Sequence, residues 1–342
     1  MKYKKLISIM LGSIIVTSLT ACGTSSSSDK SENSVSTEMA DTSNLGNDKE
    51  KNDGNGGRRG INIDKSGDEE LQSILSEVVS KYQQLEFNDP ETGKTLEYNL
   101  YVPENYDSSK SYPLVLFMPD SSLAGKGCEA ALTQGYGGVI WATEAEQKKH
   151  ESFVVVPAYS EQIVNDNFEV TDETDMTVRL INSIIDSYSI DTNRLYTTGQ
   201  SMGCMTSMYL NLKYPDLFAA SLYVSGQWDT SKMGVFADDK FFYIVAEGDP
   251  KASAGMKDLE TVFEKEGANF STATWDATWS QEQFNTATQE ILKEGNSANM
   301  VMFKLGTVLP EGVEVGENEH MYSFDYAYKI EAVRDWLFNQ SK

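Results

Sequence analysis

The chain has 342 residues, of which 52 are acidic and 28 are basic, so its formal net charge is −24. This acidic excess argues against nucleic-acid binding, because phosphate recognition needs clustered lysine and arginine. The hydrophobic fraction of 39% is enough for a sizeable core and excludes wholesale disorder. Two histidines and three cysteines exclude a histidine-rich metal site and a disulfide scaffold. Any histidine-dependent chemistry must therefore use His150 or His320.

The N-terminus has the layout of an export signal. Residues 1–21 begin with three lysines and continue with the apolar run 6–16, which is too short for a membrane span of ~20 residues. The segment ends in Leu19-Thr20-Ala21-Cys22, which resembles the lipobox of bacterial lipoproteins. The resemblance implies cleavage before Cys22, lipid on that cysteine and an extracytoplasmic protein that contacts the membrane only through this anchor. The alternative is an ordinary secretion signal followed by a chance cysteine.

A polar segment separates the signal from the folded part. Residues 22–68 are rich in serine, threonine, asparagine, aspartate and glycine and contain almost no large apolar side chains. Such a segment cannot bury enough apolar surface to offset the entropy of ordering it. We therefore expect a disordered, lipid-anchored tether over 22–68 and a single folded domain over 69–342.

The folded part alternates between helical and strand patterns. Apolar spacing predicts helices over 69–82, 130–149, 174–188, 202–213 and 324–339. Short apolar or alternating runs predict strands over 95–102, 114–118, 153–157, 194–198, 219–224, 241–246 and 299–305. This alternation predicts an α/β fold with a mostly parallel central sheet and helices on both faces.

A nucleophile motif follows one of the predicted strands. Gly199-Gln200-Ser201-Met202-Gly203 matches G-x-S-x-G, and a predicted helix follows it, which is the context that the motif requires. In that context Ser201 is the candidate nucleophile, and the backbone N–H of Met202 is one candidate oxyanion donor. The alternative is a small-residue turn at the end of a strand.

A serine nucleophile needs a base, and chain order selects between the two histidines. In this arrangement the order is nucleophile, acid, histidine, so His150 precedes the motif and His320 is the candidate base. His150 follows two lysines at the end of a predicted helix, where a solvated or capping role is expected. For His320 the alternative is an ordinary surface or core histidine.

The acid is expected just past the end of a strand between Ser201 and His320. Asp249 follows the predicted strand 241–246 and is placed to orient His320 through Nδ1. The alternative for Asp249 is a turn aspartate before proline. The competing carboxylates, one near and three more distant, are Glu247, Asp229, Asp258 and Asp276.

The second oxyanion donor is expected in the loop after the strand 114–118. That loop reads Pro119-Asp120-Ser121-Ser122-Leu123-Ala124-Gly125. The backbone N–H of Ser121 is the first candidate and that of Ser122 the second.

Together these stretches resemble the α/β-hydrolase superfamily, and within it secreted bacterial esterases akin to feruloyl esterases, polyhydroxybutyrate depolymerases and prolyl-oligopeptidase-like peptidases. The matching stretches are 114–120, 191–203, 214–218, 248–250 and 319–324. The family usually has His-Gly where this chain has Pro119-Asp120, so the sequence does not determine the conformation of the oxyanion loop. The interval from Asp249 to His320 is also long, and its aromatic residues are interpreted either as a cap over the site or as core.

The resemblance implies hydrolysis of carboxylic esters, in small molecules or polysaccharides, through an acyl-enzyme on Ser201. Feruloyl or acetyl esters of polysaccharides suit a surface lipoprotein. The alternatives are a serine peptidase on the same machinery and a surface binding lipoprotein without activity. No phosphate loop, dinucleotide motif or metal-ligand spacing is present, so we predict neither cofactor nor metal. We expect Cys128 and Cys204 to be free thiols.

Overall fold

The computed structural model describes residues 63–316 and 318–342. The predicted signal over 1–21, Cys22 and most of the predicted tether therefore lie outside the described residues. The described end of that tether contacts the domain, because Lys65 Nζ lies 2.5 Å from Asp325 Oδ2 and Asp68 caps the first helix. None of the described helices combines the length and the hydrophobicity that a membrane span requires.

The described residues form one nine-stranded sheet. Its strands are β1 (Gln83–Asn88), β2 (Thr95–Tyr101), β3 (Tyr112–Met118), β4 (Phe153–Ala158), β5 (Ile190–Gln200), β6 (Ala220–Val224), β7 (Phe241–Ala246), β8 (Phe270–Trp275) and β9 (Ala298–Phe303). The strand order is β1-β2-β4-β3-β5-β6-β7-β9-β8. The first two pairings are antiparallel and the remaining six are parallel, so the predicted mostly parallel sheet is confirmed.

Helices cover both faces of the sheet. They are α1 (Glu69–Val78), α2 (Gly127–Thr133), α3 (Tyr136–Val139), α4 (Glu144–Lys149), α5 (Asp172–Ser187), α6 (Met202–Lys213), α7 (Pro250–Glu266), α8 (Gln281–Leu292), α9 (Glu319–Lys329) and α10 (Glu331–Phe338). Strand β3 sends Val115 and Phe117 to one face and Leu114 and Leu116 to the other, and all four are buried. Helices α5, α6 and α7 pack on the Leu114 face, whereas α1–α3 and α8–α10 pack on the Val115 face.

The single helix predicted over 130–149 is wrong. The chain instead forms α2, α3, a short 3-10 turn and α4, because the backbone is extended at Gly135 and again at Thr143, and each position interrupts the helical run. A Cβ atom at Gly137 would collide with the rings of Phe117 and Tyr328, and Thr143 Oγ1 accepts the Glu146 N–H at 3.2 Å to start α4. The apolar residues of this segment therefore pack against the core from several short elements and do not form one face of a single helix.

Other predicted boundaries also shift. The last predicted helix is two helices, α9 and α10, separated at Ile330, whose extended backbone and full burial break the run. Strands β1 and β8 were not predicted, because both carry polar side chains at exposed edge positions. The long interval before His320 supplies α7, β8, α8 and β9, and its aromatic residues Trp275 and Phe284 are buried in the core. The core interpretation of these aromatics is therefore the correct one.

Candidate active site

Ser201 occupies a strained turn between β5 and α6. Its φ is +51° and its ψ is −114°, a backbone conformation that a non-glycine residue rarely adopts outside functional sites. Two glycines permit the turn: a Cβ atom at Gly199 would collide with the backbone of Gly203, and one at Gly203 would collide with the backbone oxygen of Met118. The spacing of the motif is thus a steric requirement, and it places the Ser201 hydroxyl at the carboxyl end of the sheet.

His320 and Asp249 lie beside this serine. His320 Nε2 is 2.9 Å from Ser201 Oγ, and His320 Nδ1 is 2.5 Å from Asp249 Oδ2. Asp249 is 2% exposed, and its other oxygen accepts the N–H groups of Lys251 and Ala252 at 3.2 Å each, at the start of α7. The structure therefore brings together three residues separated by 48 and 71 positions along the chain.

The competing carboxylates have other partners or positions. Glu247 Oε2 accepts the Leu305 N–H at 3.0 Å, Asp229 Oδ1 accepts the Ser231 hydroxyl at 2.5 Å, and Asp276 Oδ1 accepts the Thr278 hydroxyl at 2.7 Å. Asp258 is exposed on α7. Among the sequence candidates, Asp249 is the one whose carboxylate meets the imidazole of His320.

A buried carboxylate next to the histidine was not predicted. Glu319 is fully buried and accepts the N–H of Gly248 at 3.2 Å through Oε2 and the N–H of Gly306 at 3.2 Å through Oε1. No Lys, Arg or His within the described ranges pairs with it. Because Gly248 precedes Asp249 and Glu319 precedes His320, this side chain ties the loop of Asp249 to the helix of His320. The sequence shows acidic residues beside His320, but it does not show that the Glu319 side chain points into the protein.

The oxyanion loop has a defined conformation without the usual His-Gly. Asp120 caps a 3-10 turn over Ser121–Leu123 by accepting the Ser122 N–H at 2.7 Å. Gln134 donates to Asp120, and Gln200 donates to Gln134 Oε1 at 2.7 Å, so the network joins this turn to the residue before Ser201. The Ser122 N–H is therefore already used.

Two backbone N–H groups remain, one in this loop and one at the start of α6. Within the described part of the chain, the N–H groups of Ser121 and Met202 have no protein acceptor. Met202 begins α6, where the helix dipole favours negative charge. The close approach of Gly203 to Met118 and Pro119 brings the start of α6 against the oxyanion loop. Among the described residues, both amides that the sequence predicts as oxyanion donors are thus without a protein partner.

His150 lies at the amino ends of the parallel strands, just before β4 begins and opposite to the end that carries Ser201. His150 Nε2 is 2.7 Å from Asp335 Oδ1, and its ring stacks on Phe338 with centroids 4.5 Å apart. Glu146, His150 and Asp335 form the one trio of potential metal ligands found among the described residues. Their ligand atoms lie within 4.8 Å of one another. Arg334 Nε already donates to Glu146 Oε2 at 3.0 Å, so this charge is paired within the protein.

Neither cysteine of the domain is placed for nucleophilic chemistry. Cys128 and Cys204 are both free, as expected from the sequence. Burial raises the pKa of the Cys128 thiol to about 11 and raises the pKa of the fully buried Cys204 thiol further. Since the thiolate is the reactive form, both remain unreactive thiols near neutral pH.

The sheet topology, the strained serine and the order serine, aspartate, histidine define an α/β-hydrolase type of protein. The family model described as "Putative esterase" matches residues 90–308, and the chain belongs to this Esterase family. Feruloyl esterase B from Talaromyces stipitatus is 27% identical over 142 residues, which cover 39% of this chain and 36% of that protein. The chain thus spans about a third of the length of this curated relative.

Solved esterases share the fold. The crystal structure of a thermostable esterase aligns over 78% of this chain and 64% of its own, with a TM-score of 0.62 and 23% identity. A ferulic acid esterase aligns over 75% of this chain and 98% of its own, with a TM-score of 0.50 and 10% identity. At these identities the likeness concerns the fold.

Proposed function

We propose that the protein is a serine hydrolase that cleaves carboxylic esters through an acyl-enzyme on Ser201. The observation that carries this proposal is the continuous contact from Ser201 Oγ to His320 Nε2 at 2.9 Å and from His320 Nδ1 to Asp249 Oδ2 at 2.5 Å. Beside it lie two unused backbone donors, Ser121 and Met202. A nucleophile, a base, an orienting acid and an oxyanion site are the parts that acyl transfer needs.

The roles follow from the geometry. His320 Nε2 takes the proton of Ser201 as Oγ attacks the ester carbonyl, and the amides of Ser121 and Met202 hold the oxyanion. His320 then protonates the departing alcohol and leaves the acyl group on Ser201. A water molecule gives a proton to His320 as it attacks the acyl-enzyme, and the acid is released as Ser201 regains its proton. Asp249 holds the imidazole in the required tautomer and stabilises its charged form.

The proposed substrates are feruloyl or acetyl esters of polysaccharides. The similarity to feruloyl esterase B supports this choice at the level of a 142-residue match. Membership of the Esterase family supports an ester over an amide bond. Peptide hydrolysis and a binding role without catalysis are therefore outcomes of the test below.

The test compares three substrates: p-nitrophenyl acetate, methyl ferulate and a peptide p-nitroanilide. We expect turnover of the two esters, no turnover of the anilide, and loss of ester turnover in Ser201→Ala. Ser187→Ala, which alters an exposed serine on α5, is the matched control and should keep wild-type rates. Faster cleavage of the anilide would favour a peptidase, and no turnover by the wild-type protein would favour a binding role.

For location, we propose an extracytoplasmic protein held at the membrane by lipid on Cys22. The support is the sequence pattern around Cys22 alone. Cys22→Ser should move the protein from the membrane fraction to the soluble exported fraction and abolish incorporation of labelled fatty acid. Unchanged membrane association of this variant would contradict the proposal.

A further inference from the structure

Ser225, the residue after β6, has a strained backbone like that of the nucleophile. Its φ is +48°, close to the +51° of Ser201, and among the described residues Phe168 is the one other non-glycine residue with a positive φ. Such a conformation costs free energy in a residue with a side chain, and it persists where the surrounding contacts impose it. None of the steps proposed above uses Ser225, so its contacts indicate what the strained conformation achieves.

The backbone of this turn is bonded to both neighbouring strands. In the sheet, β6 lies between β5, which leads to Ser201, and β7, which leads to the loop of the acid. The Ser201 N–H donates to the Val224 carbonyl at 3.0 Å, and the Ser225 N–H donates to the Ile244 carbonyl at 2.9 Å. A Cβ atom at Gly226 would collide with the backbone oxygen of Ser201. The turn at Ser225 is therefore fixed against the nucleophile loop.

The Ser225 side chain reaches the proposed base through one other hydroxyl. Ser225 Oγ is 2.7 Å from Ser323 Oγ, and the Ser323 hydroxyl donates to the backbone oxygen of His320 at 2.8 Å. A hydroxyl has a single proton, so Ser225 is the donor to Ser323. Both serines are buried. The bonds thus run in one direction, from the strained turn to the backbone of His320.

This chain of hydroxyls holds the first turn of α9 from a different side than Glu319 does. Glu319 binds the loops that follow β7 and β9, whereas Ser323 binds the turn that follows β6. The imidazole of His320 extends from the backbone that both contacts hold, and its Nε2 reaches Ser201 Oγ at 2.9 Å. A misplacement of about 1 Å at such a contact can lower a rate about 10²-fold.

We propose that Ser225 is a positioning residue that holds His320 against Ser201 through the hydroxyl of Ser323. The inference rests on the proposed function, because it concerns the base of that reaction. In the strained conformation the Ser225 hydroxyl lies against Ser323, whereas a glycine would adopt the same φ without strain but would supply no donor. Because the hydroxyl acts on the base and not on the ester, its loss lowers kcat and leaves KM unchanged.

The test separates the hydroxyl of Ser225 from its backbone strain. Ser225→Gly removes the hydroxyl and relieves the strain, whereas Ser225→Ala removes the hydroxyl and keeps the strain. Ser323→Ala removes the link to His320, and a double variant combines Ser225→Gly with Ser323→Ala. The matched control is Ser271→Ala, a buried serine near the amino end of β8 whose Oγ accepts the Asn296 side-chain N–H at 3.0 Å. Each protein is assayed for p-nitrophenyl acetate kinetics and for its thermal midpoint.

We expect kcat to fall about 5- to 50-fold in both Ser225 variants and in Ser323→Ala, with KM within about twofold of wild type. The double variant should match the slower single variant within about twofold, because both substitutions break the same chain of bonds. Ser225→Gly should have the higher thermal midpoint of the two Ser225 variants, because glycine relieves the strain, although their kcat values are alike. Ser271→Ala should keep the wild-type kcat whatever its thermal midpoint.

Three results would overturn the positioning role. The first is a wild-type kcat in either Ser225 variant. The second is a set of kcat values that follows the thermal midpoints, Ser271→Ala included, because the hydroxyl would then be merely structural. The third is additive losses in the double variant, which would mean that Ser225 does not act through Ser323. A wild-type protein without ester turnover would instead contradict the proposed function.

Discussion

The two histidines of the chain make similar direct contacts. Each imidazole meets an aspartate, at 2.5 Å for His320 and 2.7 Å for His150, and each packs on a phenylalanine ring. They differ in what faces the other ring nitrogen. His320 Nε2 meets Ser201 Oγ on a strained turn at the carboxyl end of β5, whereas the His150 ring stacks on Phe338 at the amino ends of the parallel strands. A histidine–aspartate pair alone therefore does not identify a candidate active site. The His320 region is distinguished by the strained Ser201 and by the unpaired backbone N–H groups of Ser121 and Met202.

Replacing each histidine with alanine tests this difference most strongly. His320→Ala removes the base, and we expect kcat for ester hydrolysis to fall about 10⁵- to 10⁶-fold, as when the histidine of a serine triad is removed. His150→Ala should keep the wild-type kcat, because its ring contacts neither Ser201 nor the oxyanion loop. Steady-state kinetics with p-nitrophenyl acetate measure both. Similar losses in the two variants would break the distinction.

The paired aspartates give the next largest effect. Asp249→Asn keeps the shape but holds His320 in the wrong tautomer, so we expect kcat to fall about 10⁴-fold. Asp335→Asn makes the same change beside His150 and should leave kcat within about twofold. Activity retained in Asp249→Asn would mean that another carboxylate orients the base.

Glu319 sharpens the comparison, because it joins the loop of Asp249 to the helix of His320 through backbone N–H groups, whereas Glu146 near His150 is bound by the Arg334 side chain. In Glu319→Gln one oxygen becomes an NH₂ group facing an N–H, so either Gly248 or Gly306 loses its acceptor. We expect kcat to fall about 10- to 100-fold through displacement of Asp249 and His320, with KM and the thermal midpoint little changed. Glu247→Gln, on the same loop, is the control and should be active. A fall in the thermal midpoint that accounts for the lost activity would make Glu319 merely structural.

The smallest expected effect concerns stability at the other region. His150→Ala removes the stacking on Phe338 and the contact with Asp335, so we expect the free energy of unfolding to fall by about 1–2 kcal/mol. Urea denaturation measures this change. An unchanged unfolding midpoint would leave His150 without a structural role.

Much of the site was predictable because chain order and local spacing constrain it. The G-x-S-x-G spacing requires glycines where Gly199 and Gly203 meet. Of the two histidines, His320 is the one that follows Ser201 in the required chain order. Strands such as β3 and β7 were predictable because buried parallel strands are continuous apolar runs. The edge strands β1 and β8, the break at Gly135 and the inward direction of the Glu319 side chain depend on contacts far along the chain, which no local pattern encodes.

The central claim is that Ser201 is the nucleophile and that His320, not His150, activates it. Labelling with a fluorophosphonate, read by intact mass and peptide mapping, tests this most directly. We predict one adduct per chain on Ser201, formed at the wild-type rate in His150→Ala, much more slowly in His320→Ala and not at all in Ser201→Ala. An adduct on another residue, or equal labelling rates in the two histidine variants, would contradict the account.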